Sequence, residues 1–140
     1  MMEATDLERV LVKTGLDHEV TSADRLPATM KKPAGLIVNT DPAHRPGTHW
    51  VSFYFPKRGP AEFFDSLGRS PEHYRRDFKN LLIAHGPDYL HNTGRIQDYG
   101  SATCGAYCLD FLIQRDRGVD YRSYLREWGD DYARNDALVW

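Results

Sequence analysis

Residues 49–55 read His49-Trp50-Val51-Ser52-Phe53-Tyr54-Phe55, and their alternation decides the fold. His49, Val51, Phe53 and Phe55 share one face of an extended chain, while Trp50, Ser52 and Tyr54 share the other. Both faces are largely apolar, which suits a strand covered on each side. The stretch therefore predicts a central strand. Upstream, Gly35 to Thr40 is a short apolar run between turn formers and predicts a second buried strand. Asp41 to Gly47 carries two prolines and a glycine and predicts a surface loop. Downstream, Pro56 to Pro60 predicts a turn, Ala61 to Asp65 a returning antiparallel strand, and Thr93 to Gln97 a further short strand.

Helical patterns flank these strands. Thr5 and Glu8 have capping-box spacing before an apolar face of Leu7, Val10 and Leu11, with Gly15 as the stop. Thr21 to Pro33 predicts an irregular loop. Ser70 and Pro71 suit the start of a helix whose stripe is Tyr74, Phe78, Leu81 and Leu82, ended by Gly86-Pro87. Gly105 to Gln114 is apolar nearly all round, the pattern of a helix buried at the heart of a domain. Asp120 caps a helix over Tyr121 to Trp128, and the tail to Trp140 has no clear assignment. The pattern is α+β.

A length of 140 residues suits one domain over 1–140 and is too short for two ordinary ones. A net charge of -2 exerts no global pull on nucleic acid or anionic membrane. The two cysteines, Cys104 and Cys108, are too few for a disulfide framework and lack zinc-knuckle spacing, so a reducing compartment is expected. Met1 to Asp6 lacks the basic-then-apolar design of a signal peptide, and no apolar run reaches membrane-spanning length. A soluble, intracellular protein is expected, monomeric because nothing reads as a coiled-coil seam.

Cys104 stands where the polar stretch Tyr99 to Thr103 gives way to the buried helix. A sulfur at a helix N-terminus meets the positive end of the dipole and unpaired N–H groups, which favour the thiolate and can bind an oxyanion. Gly105 would leave the approach to the sulfur open. Of six histidines, His49 alone opens a strongly predicted strand; His18, His44, His73, His85 and His91 are read as loop or polar helix positions. Trp50 beside it can shield an imidazole–carboxylate bond. Asp65, after two phenylalanines, can reach that imidazole across a hairpin and fix its tautomer. Gln97, seven residues before Cys104, can offer an amide N–H to the oxyanion.

The order His49, Asp65, Gln97, Cys104 resembles the adenovirus-type proteases, the adenain family, and more distantly the SUMO-specific Ulp class. Ile37-Val38-Asn39-Thr40 followed by Gly47-Thr48-His49-Trp50 is similar to the family's approach to its histidine. Phe64-Asp65-Ser66-Leu67-Gly68 resembles its acidic segment, and Gln97 with Ser101-Ala102-Thr103-Cys104-Gly105 its glutamine and nucleophile motif. The resemblance is strongest over 5–115. It implies a papain-like, adenain-like cysteine peptidase fold with a mixed central sheet and the nucleophile at the N-terminus of a buried helix. It implies no metal and no organic cofactor, and substrate contacts by Asn39, Trp50 and Gly105. Cleavage at Gly-rich, Gly-Gly-like sites is expected, in capsid-precursor maturation by a virus or Polinton-type element, in the host cytoplasm or nucleus or packaged in the virion. Asp65 stands where adenoviral enzymes usually have glutamate, as in the SUMO proteases. The family's peptide activation has no counterpart thiol here, and its DNA activation is not supported by the net charge.

Three competing readings follow from the same residues. One is removal of ubiquitin-like modifiers; another is an inactive module gripping Gly-rich peptides. The third, a metal site of His49, Cys104 and Asp65, lacks ligand spacing. Asp65→Ala is expected to reduce turnover more than folding, and Cys108→Ser to leave activity intact.

Overall fold

Why the central run can be apolar on both faces is visible in the computed structural model, which describes residues 1–44 and 48–140. Among them, β1 (Asp17–Ser22), β2 (Ala34–Asn39), β3 (Trp50–Phe55), β4 (Ala61–Phe64) and β5 (Tyr89–His91) form one sheet in that order, with β3 at its centre. The β1–β2 and β4–β5 pairs are parallel and the inner pairs antiparallel, so the sheet is mixed. Every residue of β2, β3 and β4 is buried.

The helices are α1 (Ala4–Val12), α2 (Pro71–Tyr74), α3 (Arg76–Ile83), α4 (Cys104–Asp116), α5 (Tyr121–Arg126) and α6 (Tyr132–Val139). They cover both faces of the sheet. On one face, Trp50 and Tyr54 of β3 pack with Ile37, Phe64 and the α4 residues Tyr107, Cys108, Phe111 and Leu112. On the other, Val51, Phe53 and Phe55 pack with Leu36, Val38, Phe63 and the α3 residues Phe78, Leu81 and Leu82. The period-two alternation of 49–55 thus sorts directly into two cores.

Helix α4 is held at both ends. Its first residue is Cys104; near its far end Arg115 grips Glu62 of β4 through two bonds, Nε to Oε1 at 2.7 Å and Nη2 to Oε2 at 2.6 Å. A buried fork-to-carboxylate pair of this kind fixes direction as well as distance. The helix that opens with Cys104 therefore cannot slide along the sheet without breaking that pair.

Several expectations are corrected. The first helix is capped by Glu3, reciprocally with Asp6, and not by Thr5 and Glu8. Asp6 Oδ2 accepts the Glu3 N–H at 2.9 Å, so the helix starts two residues before the expected cap would place it. The supposed loop from Thr21 begins inside β1, whose polar residues occupy a sheet edge, where one flank needs no partner. His18 and His91 accordingly lie in strands, not loops. The helix begun at Ser70 breaks at Arg75, which is extended (φ -157°, ψ 145°) and starts α3 anew. Thr93 to Gln97 is not a strand; the fifth strand is Tyr89–His91. Ile96 and Gln97 instead donate their backbone N–H groups to the Ser66 carbonyl (2.8 and 3.0 Å). The tail forms α6. Part of the expected loop 41–47, including Gly47 of the segment leading to His49, lies outside the described residues. Among the described residues no helix is long and apolar enough to cross a membrane.

Candidate active site

At one end of the sheet, side chains from opposite faces converge. His49 stands immediately before β3 and Asp65 immediately after β4, both buried. The imidazole Nε2 meets Asp65 Oδ1 at 2.7 Å. With Nε2 committed, Nδ1 is the nitrogen left for the sulfur of Cys104, at the first turn of α4. Cys104 is 2 % exposed, and its Sγ accepts the backbone N–H of Trp50 at 3.4 Å.

Burial opposes a proton on His49, but hydrogen bonds to Asp65 and Cys104, reinforced by their charges, outweigh it and raise the imidazole to about 9. Burial likewise pushes the Asp65 carboxyl up. His49, Tyr74 and the Leu67 N–H reverse that and hold it below the usual carboxylate range. Asp65 accepts four hydrogen bonds: from His49, Tyr74 Oη, Leu67 N at 3.0 Å and Arg69 N at 3.2 Å. A fully buried carboxylate is tolerable only when its lone pairs are satisfied in this way.

The cleft beside the pair has a volume of about 380 Å³, and its walls include His49, Cys104, Gln97, Tyr99, Arg69 and Met1. Gln97 is buried; its Oε1 accepts from Ser66 Oγ at 2.6 Å and its Nε2 donates to Ser101 O at 3.0 Å. Those bonds leave one amide N–H without a protein acceptor among the described residues. All four residues read as a constellation from the sequence are therefore in one place.

The other candidates fall elsewhere. Trp50 faces away from His49, as alternation requires, and its Nε1–H donates to Met2 O at 3.0 Å. The ring that covers the imidazole is Tyr74, stacked on it with centroids 5.8 Å apart, while its hydroxyl bonds Asp65. Sequence reasoning placed Tyr74 only in a core stripe; its spacing from Pro71 gave no other signal. Asn39 accepts the Asp41 N–H at 2.9 Å and, with Trp50, lines an adjoining groove. Gly105 does not open onto the sulfur. A Cβ there would meet Leu7 Cδ2 and Met2 Cβ, each at 3.3 Å, so glycine serves the close approach of the N-terminal segment. Cys108 is buried and its thiol is pushed well above the usual range by that burial. Among the described residues no group of three His, Cys, Asp or Glu side chains is arranged to hold a metal ion.

A thiol at a buried helix N-terminus, an imidazole at a strand start and a carboxylate at the next strand's end stand together on an α+β fold similar to that of a solved viral cysteine protease. The cysteine protease S273R of African swine fever virus (isolate Tick/Malawi/Lil 20-1/1983) is 31% identical over 100 residues, spanning 65% of this chain and 37% of its own length. The crystal structure of the ASFV pS273R protease superposes with a TM-score of 0.50 at 26% identity, over 76% of this chain and 42% of that one. ChlaDub1 of Chlamydia trachomatis superposes with a TM-score of 0.48 at 16% identity, over 97% of this chain and 71% of that one. The chain thus spans less than half the length of the viral protease it matches. No family model matches the chain.

Proposed function

We propose that this chain is a cysteine peptidase that hydrolyses peptide bonds in protein substrates. One observation carries the reading: His49 Nε2 is locked to Asp65 at 2.7 Å, so that Nδ1 is left to the Cys104 sulfur in a cleft shared with Gln97. In the proposed reaction the Cys104 thiolate, paired with protonated His49, adds to a peptide carbonyl. The Cys104 N–H and the remaining Gln97 amide N–H receive the oxyanion. His49 then gives its proton to the leaving amine, and water activated by the same imidazole releases the acid. Apart from water, these steps use only the chain's own residues.

The substrate proposed is a Gly-rich site. Support comes from the resemblance, and Tyr99 and Met1 line the cleft where residues flanking the scissile bond would lie. Capsid-precursor processing is the setting proposed on the resemblance; the similar protein contributes only that it is a cysteine protease of a virus.

The test is a cleavage panel under reducing conditions, with and without added DNA. It contains Gly-Gly fluorogenic peptides, a capsid-precursor-like peptide, and ubiquitin and SUMO fusions. Cleavage by the wild type that disappears in Cys104→Ala is the expected outcome. Preference for the fusions would replace precursor processing by modifier removal. A folded wild type whose Cys104 alkylates readily but which cleaves nothing, with or without DNA, would overturn the peptidase reading.

A further inference from the structure

Between Asn92 and Cys104 the chain has no regular secondary structure, yet it carries Gln97 and leads into the nucleophile. A segment without a ladder must take its conformation from other contacts, and here these come from Ser66, as described above, and from α6. Asn135, only 4% exposed, donates from Nδ2 to Ile96 O at 3.1 Å and to Gly129 O at 2.9 Å. Ile96 directly precedes Gln97. Asp136 Oδ1 accepts from Tyr107 Oη at 2.7 Å and from Thr103 Oγ1 at 3.2 Å.

Thr103 is the residue before Cys104. The Thr103 hydroxyl oxygen lies 2.8 Å from Ser101 Oγ, whose one proton is shared between Thr103 and the Asp98 carbonyl at 3.1 Å. The Ser101 carbonyl in turn takes the Gln97 amide. Contacts therefore link Asp136, through Thr103 and Ser101, to the Gln97 amide. Independently, the Arg95 guanidinium lies between the rings of Tyr99 and Tyr132, 3.7 and 3.8 Å from their centroids, and donates to Gln97 O at 3.2 Å. Simple coverage of the core by α6 would require none of these polar contacts.

We propose that α6 braces the active-site segment, with Asp136 and Asn135 as positioning residues that fix Gln97 relative to Cys104. The proposal rests on the peptidase reading for its kinetic consequence, but not for its structural one. Losing the brace lets the oxyanion donor drift while leaving the His49–Cys104 pair, held by β3, β4 and α4, in place.

The experiment compares wild type, Asp136→Ala, Asp136→Asn and Thr103→Val. Amide exchange at Ile96, Gln97, Ser101 and Tyr107, all of which donate backbone hydrogen bonds, needs no turnover. Asp136→Ala and Thr103→Val should lose protection there by about 10-fold or more with β2–β4 unchanged. Their kcat should fall by about 10- to 100-fold, the scale set by misplacing one oxyanion donor. KM and the rate of Cys104 alkylation should stay within about threefold. Asp136→Asn, which keeps the acceptor oxygen, should behave as wild type. Wild-type exchange and kcat in the two disruptive variants would overturn the proposal. So would loss of protection across the whole sheet, or an Asp136→Asn variant as impaired as Asp136→Ala. A wild type that cleaves nothing would sink the peptidase reading alone, since exchange still judges the brace.

Discussion

His49 and Asp65 are diagonal neighbours at the open end of the β3–β4 hairpin. The register that pairs Ser52 with Phe64 places Asp65 opposite Val51, two residues along from His49 on the same face. Neighbours of that kind are within reach of a ring as long as imidazole, and the bond closes at 2.7 Å. The dyad's geometry is therefore written into the strand register, and a slip of one residue would send Asp65 to the other face.

Replacing Asp65 by asparagine should lower kcat/KM by up to on the order of 10⁴-fold, because the amide can favour the wrong imidazole tautomer. Steady-state kinetics beside a thermal melt check this, and an unchanged rate would remove Asp65 from the site. Asp65→Ala is a poorer probe than the sequence suggested. It would strand four donors in a buried place, at a cost of about 1–3 kcal/mol for each unsatisfied group. Folding should then fail together with turnover.

The raised imidazole gives a pH dependence. Its folded value of about 9 lies above the ordinary 6.5. Its stabilisation is thus complete below about 6.5 and is lost as pH rises through about 9. Asp65, held low, contributes above the ordinary carboxyl range, and that contribution is lost as pH falls through its folded value. A pH–rate profile should show an alkaline limb with apparent pKa about 9, where the leaving-group acid disappears. The melting-temperature gap between wild type and Asp65→Asn should shrink from pH 6 to 10. A rate flat to pH 10 would mean that His49 does not act as its own acid.

The two thiols should differ in chemistry. Cys108 is enclosed, and burial holds its thiol protonated. Mass spectrometry after brief iodoacetamide treatment should find one adduct, on Cys104, and none in Cys104→Ala. Cys108→Ser should keep turnover within about threefold if it folds. Complete loss in a folded Cys108→Ser would shift the nucleophile to Cys108.

Gly68 should resist substitution for a reason unrelated to catalysis. Its φ is +77°, and a Cβ would lie 2.7 Å from Gly94 C and 2.8 Å from Arg95 N, both backbone atoms. Gly68→Ala should cost about 2–4 kcal/mol in denaturant unfolding, from left-handed strain plus the clash. Gly59→Ala shares a positive φ of +102° with nothing within 4 Å and should cost less. Equal effects at the two sites would refute the clash as the cause.

The four residues of the constellation were legible because each sits at a junction that local patterning marks. His49 opens the strongest alternation in the chain, Asp65 follows directly on an aromatic pair, and Cys104 divides a polar stretch from an apolar helix. Trp50 was misread as a shield for the opposite reason. Adjacency in sequence suggested contact, whereas a strand sends neighbours to opposite faces. Strand β1 escaped notice because an edge strand carries polar residues that read as loop, and Thr93 to Gln97 was mistaken for a strand because its order is borrowed from Ser66 and α6.

What the sequence determined by itself is the α+β pattern, the two buried faces of residues 49–55 and the choice of His49, Asp65, Gln97 and Cys104 as residues that the fold brings together. These follow from periodicities and junctions that act over a few residues. Only the tertiary structure decided that Tyr74 covers the imidazole, that Gly105 admits Met2 and Leu7, and that Asn135 and Asp136 reach back to the segment holding Gln97. Those contacts join residues 25 to about 100 positions apart, and no local pattern encodes which side chains will meet once α4 and α6 have packed.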